Sequence, residues 1–198
     1  QPRHHAVLGS SIPTLGGEGM HIRSRFAIAE TVLDKFRPDL GADFEAYRNH
    51  IRRVLNFYSA LDPAGSDPSE AVQLAAAFHD LGIWTDDTFD YLAPSVKRAR
   101  AHLDSSGQLP LFPEVSLLIA GHHKIRPYLG EFALPVERFR RADFVDLSLG
   151  LLRFGLPASF VREVRAAFPN AGFHGRLASL TLKQAARNPL RPLPMFRW

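Results

Sequence analysis

The residues of this sequence that could do chemistry together are histidines and aspartates. His79 and Asp80 stand side by side at the end of the apolar run 75–78. A buried imidazole or carboxylate without a partner destabilises a fold by several kcal/mol, so both side chains need partners. A divalent metal ion would satisfy the two together, because imidazole and carboxylate are both metal ligands. The pair therefore indicates a metal site at the end of a helix.

Further candidate ligands lie on three other segments. Taken in chain order, the whole set reads H…HD…HH…D and comprises His50, His79, Asp80, His122, His123 and Asp143. His50 falls on the apolar side of its predicted helix, because Val54 and Phe57 follow it at helical spacing. Asp143 lies in the middle of an apolar stripe, where an isolated charge is costly. The spacing thus predicts that these side chains point into the core.

Each candidate also has a purely structural explanation that the sequence leaves open. His50 could be a core histidine bonded to a backbone carbonyl, and Asp80 could fix the tautomer of the neighbouring His79. Asp143 could pair with one of the arginines that precede it on the same helix. The outcome depends on whether the folded chain brings the four segments together.

The composition limits which ligands are available. The chain has 198 residues with 45% hydrophobic content, which is enough for one buried core and short for two domains. It has no cysteine, so disulfides, thiolate ligands and thiol nucleophiles are excluded. Imidazole and carboxylate suit a divalent ion of Mn, Fe, Co, Ni, Zn or Mg. The net charge of +4 favours a small anionic substrate but is too mild to indicate nucleic-acid binding.

The apolar spacing predicts that helices position these side chains. The predicted helices span residues 22–35, 42–61, 69–78, 95–103, 114–123, 135–150, 160–168 and 176–187. The predicted fold class is therefore all-α, with a single domain. The chain divides into a flexible N-terminal segment (1–21), a helical domain (22–187) and a proline-rich C-terminal tail (188–198).

The ordered candidates resemble the metal ligands of the HD-domain superfamily of metal-dependent phosphohydrolases. The residues that match the core ligands of that family are His50, His79, Asp80 and Asp143. The match covers residues 44–152, which is most of the chain. The resemblance implies an HD-type helical bundle in which these four side chains bind a divalent metal ion.

A second ion would need additional histidine ligands. The resemblance offers His102, His122 and His123 for that role, and His102 has a suitable spacing along the chain. Ser95, however, stands where many two-metal members carry their additional histidine. The resemblance thus leaves the choice between one ion and two open.

For function, the resemblance implies hydrolysis of a nucleotide or another small phosphate ester by a metal-activated water molecule. Asp80 would be a catalytic residue that orients or deprotonates this water, and Lys124 would be catalytic beside it. The residues that would bind the substrate are Arg53, Lys124 and Arg126, because charge-assisted hydrogen bonds to phosphate oxygen atoms are strong.

Two other functions stay open. A minority of the superfamily are diiron oxygenases that cleave C–P or C–C bonds, and this chemistry would need the second metal site. The other alternative is a non-catalytic nucleotide-sensing module, in which the metal only stabilises the fold.

The expected location of the protein follows from its lack of long apolar runs. No run reaches the roughly 18 residues needed to cross a membrane, and the N-terminus lacks the pattern of a secretory signal. We therefore expect a cytoplasmic protein that binds neither membranes nor nucleic acid. The sequence gives no indication of its oligomeric state.

Overall fold

A computed structural model of the chain describes residues 20–86, 88 and 90–187, and no β-strand occurs in those ranges. The helices are α1 (Ala27–Lys35), α2 (Arg37–Leu40), α3 (Phe44–Ala60), α4 (Glu70–Phe78), α5 (Gly82–Thr85), α6 (Leu92–Ser105), α7 (Phe112–Gly121), α8 (Ala133–Leu147), α9 (Ala158–Ala167) and α10 (Phe173–Arg187). The prediction of an all-α, single-domain fold is confirmed. The predicted tail 188–198 lies outside the described residues, as does the predicted segment 1–21 apart from its last two residues.

The helices that carry the first candidate ligands form for different reasons. α3 is amphipathic, whereas α4 is apolar and buried on almost every side. α4 begins after Ser69, whose hydroxyl accepts a hydrogen bond from the backbone N–H of Val72. It ends at Phe78, so His79 and Asp80 lie in the turn that follows. Their side chains nevertheless converge, since Nε2 of His79 lies 3.4 Å from Oδ2 of Asp80.

Most predicted helix boundaries differ from the observed ones by a few residues, and two of the differences have a clear structural cause. α1 begins at Ala27, because the backbone N–H and carbonyl of Arg23 bond to the side chain of Asn56 at 2.8 and 3.0 Å and are satisfied without a helix. α6 begins at Leu92 and includes Pro94 in its first turn. A proline there removes no helical hydrogen bond, since the first N–H groups of a helix have no partner within it.

α3 lies at the centre of the bundle and contacts α1, α4, α8, α9 and α10. α7 packs against α4, α6 and α8. This arrangement brings the ends of α4 and α7 close to the inner faces of α3 and α8. Within the described ranges, no helix combines the length and the apolar character that crossing a bilayer requires.

Gly82, the first residue of α5, occupies a position where the packing excludes a side chain. A Cβ atom there would lie 2.7 Å from the backbone oxygen of Tyr91 and 3.1 Å from Oγ of Ser95. We expect Gly82→Ala to lower the free energy of unfolding by about 1–3 kcal/mol, because α6 must shift. Gly175→Ala on α10 is the control, since nothing lies within 4 Å of the added carbon, and it should be neutral or stabilising by up to about 1 kcal/mol. Urea unfolding followed by circular dichroism measures both, and equal effects would contradict this packing.

Glu137 on α8 ties the segment after α7 to the bundle. Its carboxylate accepts hydrogen bonds from the backbone N–H of Tyr128 at 3.1 Å and from Arg140 and Arg141 at 2.7 to 2.8 Å. Partial burial alone would raise the pKa of Glu137, but these hydrogen bonds lower it from 4.5 to about 2. The carboxylate is therefore more stable as an anion in the folded chain than in the unfolded one.

This pKa shift predicts a pH-dependent contribution to stability. Because the folded-state pKa lies below the unfolded-state value of 4.5, the contribution is fully present above that pH and is lost as the pH falls toward about 2. Glu137→Gln should be less stable than the parent protein by about 1 kcal/mol at neutral pH, a value reduced for solvent screening. Urea unfolding across this pH range measures the difference, with the exposed Glu163→Gln as control. A deficit that stays the same in acid would argue against the shift.

Candidate metal centre

The folded chain brings six of the predicted ligand residues around one buried space. They are His50 on α3, His79 and Asp80 after α4, His122 and His123 after α7, and Asp143 on α8. Each is at most 6% exposed. Polar side chains buried to this extent need either protein partners or a bound cation.

Four of these side chains form a first group of ligand atoms. Nε2 of His50 lies 2.9 Å from Nε2 of His79. Oδ2 of Asp80 lies 3.6 and 3.4 Å from these two nitrogen atoms, and Oδ1 of Asp143 lies 3.6 and 3.9 Å from them. Two atoms that bind one ion at about 2.1 Å cannot be more than about 4.2 Å apart, so each of these separations is compatible with a shared ion.

The imidazole rings are oriented by hydrogen bonds on their far side. Nδ1 donates to the backbone carbonyl three residues earlier, at 2.8 Å for His79 and 2.6 Å for His122. A carbonyl only accepts, so the proton is on Nδ1, and a neutral ring carries its lone pair on Nε2. Nδ1 of His50 is held in the same way by Oδ2 of Asp146 at 2.7 Å. Nε2 of all three rings thus faces the buried space, the arrangement typical of histidines that bind metals.

Three polar atoms of the cluster have no hydrogen-bond partner among the described residues. They are Oδ1 of Asp80, Oδ2 of Asp143 and Nε2 of His122. Between His50 and His79, two nitrogen lone pairs face each other at 2.9 Å, which is repulsive unless a proton or a cation lies close to them. Imidazole and carboxylate without thiolate suit Mn, Fe, Co, Ni, Zn or Mg. The residues present therefore fit a divalent metal ion.

Asp80 also belongs to a second group. One ligand atom of Asp80 and one each of His122 and His123 all lie within 4.8 Å of one another. Oδ1 of Asp80 is 3.3 Å from Nε2 of His122. Asp80 thus stands between two groups of ligands, and the arrangement is compatible with one ion or with two ions that share this carboxylate. That His122 and His123 bind a second ion stays a prediction.

His123 is oriented by a residue that sequence reasoning missed. Nε2 of His123 lies 2.7 Å from the hydroxyl oxygen of Tyr91, which is also buried, and Nδ1 lies 3.8 Å from Oδ2 of Asp143. Burial and the carboxylates of Asp80 and Asp143 raise the pKa of Tyr91 well above its usual value of 10.0, so the hydroxyl keeps its proton. No pattern in the sequence distinguishes Tyr91 from an ordinary aromatic core residue.

Asp146 holds His50 in place and is itself held by Arg53. Arg53 donates to both carboxylate oxygen atoms of Asp146, at 2.5 and 2.8 Å, and Nη1 donates to the carbonyl of Phe168 at 2.9 Å. Burial alone would raise the pKa of Asp146, but the hydrogen bonds from His50 and Arg53 keep it well below its usual range. The prediction that Arg53 binds the substrate is corrected, because its guanidinium is buried and all three of its nitrogen atoms are engaged.

His102 does not belong to the cluster. It is half-buried on α6, and its ring centre lies 5.4 Å from that of Phe78. Ser95, at the position where the HD resemblance would place an additional histidine, accepts a hydrogen bond from the backbone N–H of Gly82 at 3.0 Å. The prediction of His102 as a second-metal ligand is therefore corrected, because the face of α6 that carries it packs on α4 and not on the other ligands.

The alternative of an arginine partner for Asp143 is excluded by the contacts of the two arginines before it. Arg140 and Arg141 both donate to the carboxylate of Glu137. Among the described residues, the basic side chains within 4 Å of Asp143 are the imidazoles of His50, His79 and His123. The carboxylate is thus placed in the core without the cation that a structural ion pair would provide.

The two carboxylates that face the shared space have opposite pKa shifts. Burial raises the pKa of Asp143 to about 7. Burial would also raise the pKa of Asp80, but His79 and His122 hold it well below its usual range. Burial lowers the pKa of His79 to about 3, so its ring is neutral at neutral pH and keeps a lone pair for a metal ion. The cluster therefore presents the anionic carboxylate of Asp80 beside the neutral imidazole of His79.

Lys124 and Arg126, the remaining residues predicted to bind the substrate, follow the pair His122 and His123 directly. Lys124 is half-buried and Arg126 is exposed. The carbonyl of Lys124 accepts a hydrogen bond from Arg140 at 3.0 Å, which fixes the start of this segment against α8. Both cations are close to the ligands along the chain, and their roles toward a substrate stay predictions.

Comparison of the chain with protein-family models, with curated proteins and with solved structures gave no match. The class of protein is therefore defined by its own fold and by the residues of its candidate site. It is an all-α protein with a buried cluster of histidine and aspartate side chains that could hold a metal ion.

Asp143 and Asp146, both buried on α8, should respond oppositely to the same substitution. Asp146→Asn removes the charge that compensates buried Arg53, and should lower the free energy of unfolding of chelator-treated protein by about 3–5 kcal/mol. Asp143→Asn removes a buried carboxylate, partly ionised at neutral pH, without an arginine or lysine partner among the described residues, and should raise that free energy by about 1–2 kcal/mol. Urea unfolding after chelation measures both. A similar loss of stability in the two variants would show that Asp143 is a structural carboxylate and not a ligand.

Proposed function

We propose that this protein is a metal-dependent hydrolase of the HD superfamily that acts on a nucleotide or another small phosphate ester. One observation carries the proposal: ligands in the order H…HD…D, on separate segments of an all-α fold, meet at one buried point. These ligands are His50, His79, Asp80 and Asp143. The orientation of the histidine rings supports it further, because their Nε2 atoms are turned toward that point by bonds on the other side of each ring.

The chain's own groups have defined tasks in such a reaction. A divalent ion held by these residues would lower the pKa of a bound water molecule and polarise a phosphoryl oxygen. Asp80 has one oxygen atom, Oδ1, without a hydrogen-bond partner among the described residues, so it can accept a hydrogen bond from the attacking water and orient it. Asp146 prevents the ring of His50 from turning and keeps Nε2 directed at the centre.

Recognition of the phosphate is assigned to the cations that follow the histidine pair. Lys124 is half-buried immediately after His123, and Arg126 is exposed two positions further on. A lysine supplies a compact charge and an arginine supplies a planar fork, and both bind phosphate oxygen atoms. Lys124, which is closer to the ligands along the chain, is the one proposed to contact the reacting phosphoryl group.

A diiron oxygenase that cleaves a C–P or C–C bond is the second candidate. The observation in its favour is the second ligand group, in which Asp80 is joined by His122 and His123. Such an oxygenase needs two iron ions, whereas a hydrolase of this type can act with one ion. Metal stoichiometry, iron content and oxygen uptake therefore separate the two functions.

Asp80 provides the most direct test, because it belongs to both ligand groups. Asp80→Ala should lower metal affinity by about 100-fold or more and abolish activity, while the helical circular dichroism is retained. Asp104→Ala, which removes an exposed carboxylate on α6, is the matched control and should keep both properties. Elemental analysis of protein purified without chelators measures the metal, and phosphate release from a panel of nucleotides and small phosphate esters measures the activity.

The possible results of this experiment lead to different conclusions. Full metal occupancy in Asp80→Ala would refute the proposed centre. Oxygen uptake by the iron-loaded parent protein without phosphate release would select the oxygenase. Bound metal without turnover of any compound would select a non-catalytic nucleotide-sensing module, provided that a nucleotide still binds.

A further inference from the structure

The segment that follows α8 exposes a group of large apolar side chains. The helix predicted over 135–150 ends at Leu147, and residues 149–154 form a loop, called here the apolar loop. Its exposed apolar side chains are Leu149 (45% exposed), Leu151 (86%), Leu152 (52%) and Phe154 (39%). Single exposed apolar residues are common on protein surfaces, but four within one short loop indicate a contact surface.

Contacts with α9 hold the apolar loop in this shape. Leu149 and Phe154 have φ angles of +57° and +48°, which are unfavourable for residues with a side chain. Gly150 permits a close approach to Val161, since a Cβ atom there would lie 2.7 Å from that side chain. Arg165 on α9 donates to the carbonyl of Leu149 at 2.6 Å. The leucines are therefore presented outward by a defined backbone, at the cost of local strain.

Exposed arginines accompany the exposed apolar side chains. Arg153 lies within the loop and Arg162 lies on α9. The guanidinium of Arg141 lies 5.7 Å from the ring centre of Phe154, but its charge is paired with Glu137. Glu163 places one acidic group on α9 beside Arg162. Arg153 and Arg162 therefore leave a modest excess of positive charge on the loop and the adjacent part of α9.

We propose that the apolar loop docks on an anionic lipid surface. Its leucines enter the acyl region and its arginines bind the headgroups, as in other interfacial anchors that combine apolar and basic residues. Leu151, with 86% of its surface exposed, protrudes and lies in no groove, and a fluid lipid phase accepts such a tip without a matching pocket. The expectation of no membrane contact was based on the lack of a spanning run, which does not bear on peripheral binding.

Two other occupants fit these observations less well. A second copy of the chain, paired symmetrically through this loop, would bring the like-charged arginines of both loops into one contact. A protein with an acidic surface would satisfy the arginines, but it would also need a concave apolar site for the protruding leucines. The lipid surface satisfies both the charge and the shape of the loop.

Vesicle sedimentation of the full chain tests the proposal. The protein should sediment with phosphatidylcholine vesicles that contain about one third phosphatidylglycerol, bind pure phosphatidylcholine much more weakly, and be released by high salt. In the double variant Leu151→Ser/Leu152→Ser, the affinity for the anionic vesicles should fall by about tenfold or more. Leu134→Ser/Leu182→Ser is the matched control, because it removes two equally exposed leucines, 78% and 71%, from α8 and α10. Arg153→Gln should weaken binding and reduce its salt dependence.

Several outcomes would overturn the proposal. One is that the parent protein stays in the supernatant with anionic vesicles. Another is that the Leu151/Leu152 variant and the Leu134/Leu182 variant lose binding equally, since the contact would then not be specific to the loop. Binding to soluble polyglutamate through Leu151 and Leu152, without binding to vesicles, would identify an acidic protein surface as the partner instead.

Discussion

The candidate metal centre depends on the interactions of the buried carboxylate of Asp146. It accepts two hydrogen bonds from Arg53 and one from His50, all inside the core. Burial of such charges is unfavourable, and it is offset here because both oxygen atoms are bonded in a bidentate geometry. As a consequence the ring of His50 cannot turn, and its Nε2 atom stays directed at Asp80 and Asp143. The ligand is thus oriented by the packing of α3 against α8, before any metal binds.

The same interaction joins the centre to the last two helices. Arg53 also donates to the carbonyl of Phe168, directly after α9, and the carbonyl of Asp146 lies 3.0 Å from Nε2 of His174 at the start of α10. The ring of Phe173 stacks on His50 with 4.1 Å between the ring centres. The junction of α9 and α10 is therefore fixed by the residues that orient a ligand. A structural change in this junction would therefore alter the orientation of His50, although none of the proposed ligands lies on α9 or α10.

How far the sequence specifies this centre depends on the range of each interaction. Helical spacing is a local property, so the helices that carry the ligands are predictable, and a carboxylate inside an apolar stripe correctly marks Asp143 as unusual. The direction of Arg53 is not predictable in this way, because its partner Asp146 lies 93 residues away along the chain. His102 has a suitable spacing along the chain, but only the packing of α6 on α4 shows that it faces away from the ligands. The role of Tyr91 cannot be predicted from the sequence, since an aromatic core residue has the same sequence pattern whether or not its hydroxyl bonds to a candidate ligand.

The unsatisfied atoms of the cluster distinguish a binding site from a structural polar network. Two buried hydroxyl groups close to the cluster are satisfied: that of Tyr47 accepts a hydrogen bond from the backbone N–H of Asp80, and that of Ser95 accepts one from Gly82. Asp80 and Asp143 nevertheless each keep a buried oxygen atom without a hydrogen-bond partner among the described residues. Replacing such groups by apolar side chains of similar size would often stabilise a fold, so their presence needs a reason other than stability. The unmatched carboxylate atoms are acceptors and stand beside imidazole lone pairs, and a cation with several coordination positions is the simplest partner that satisfies them together.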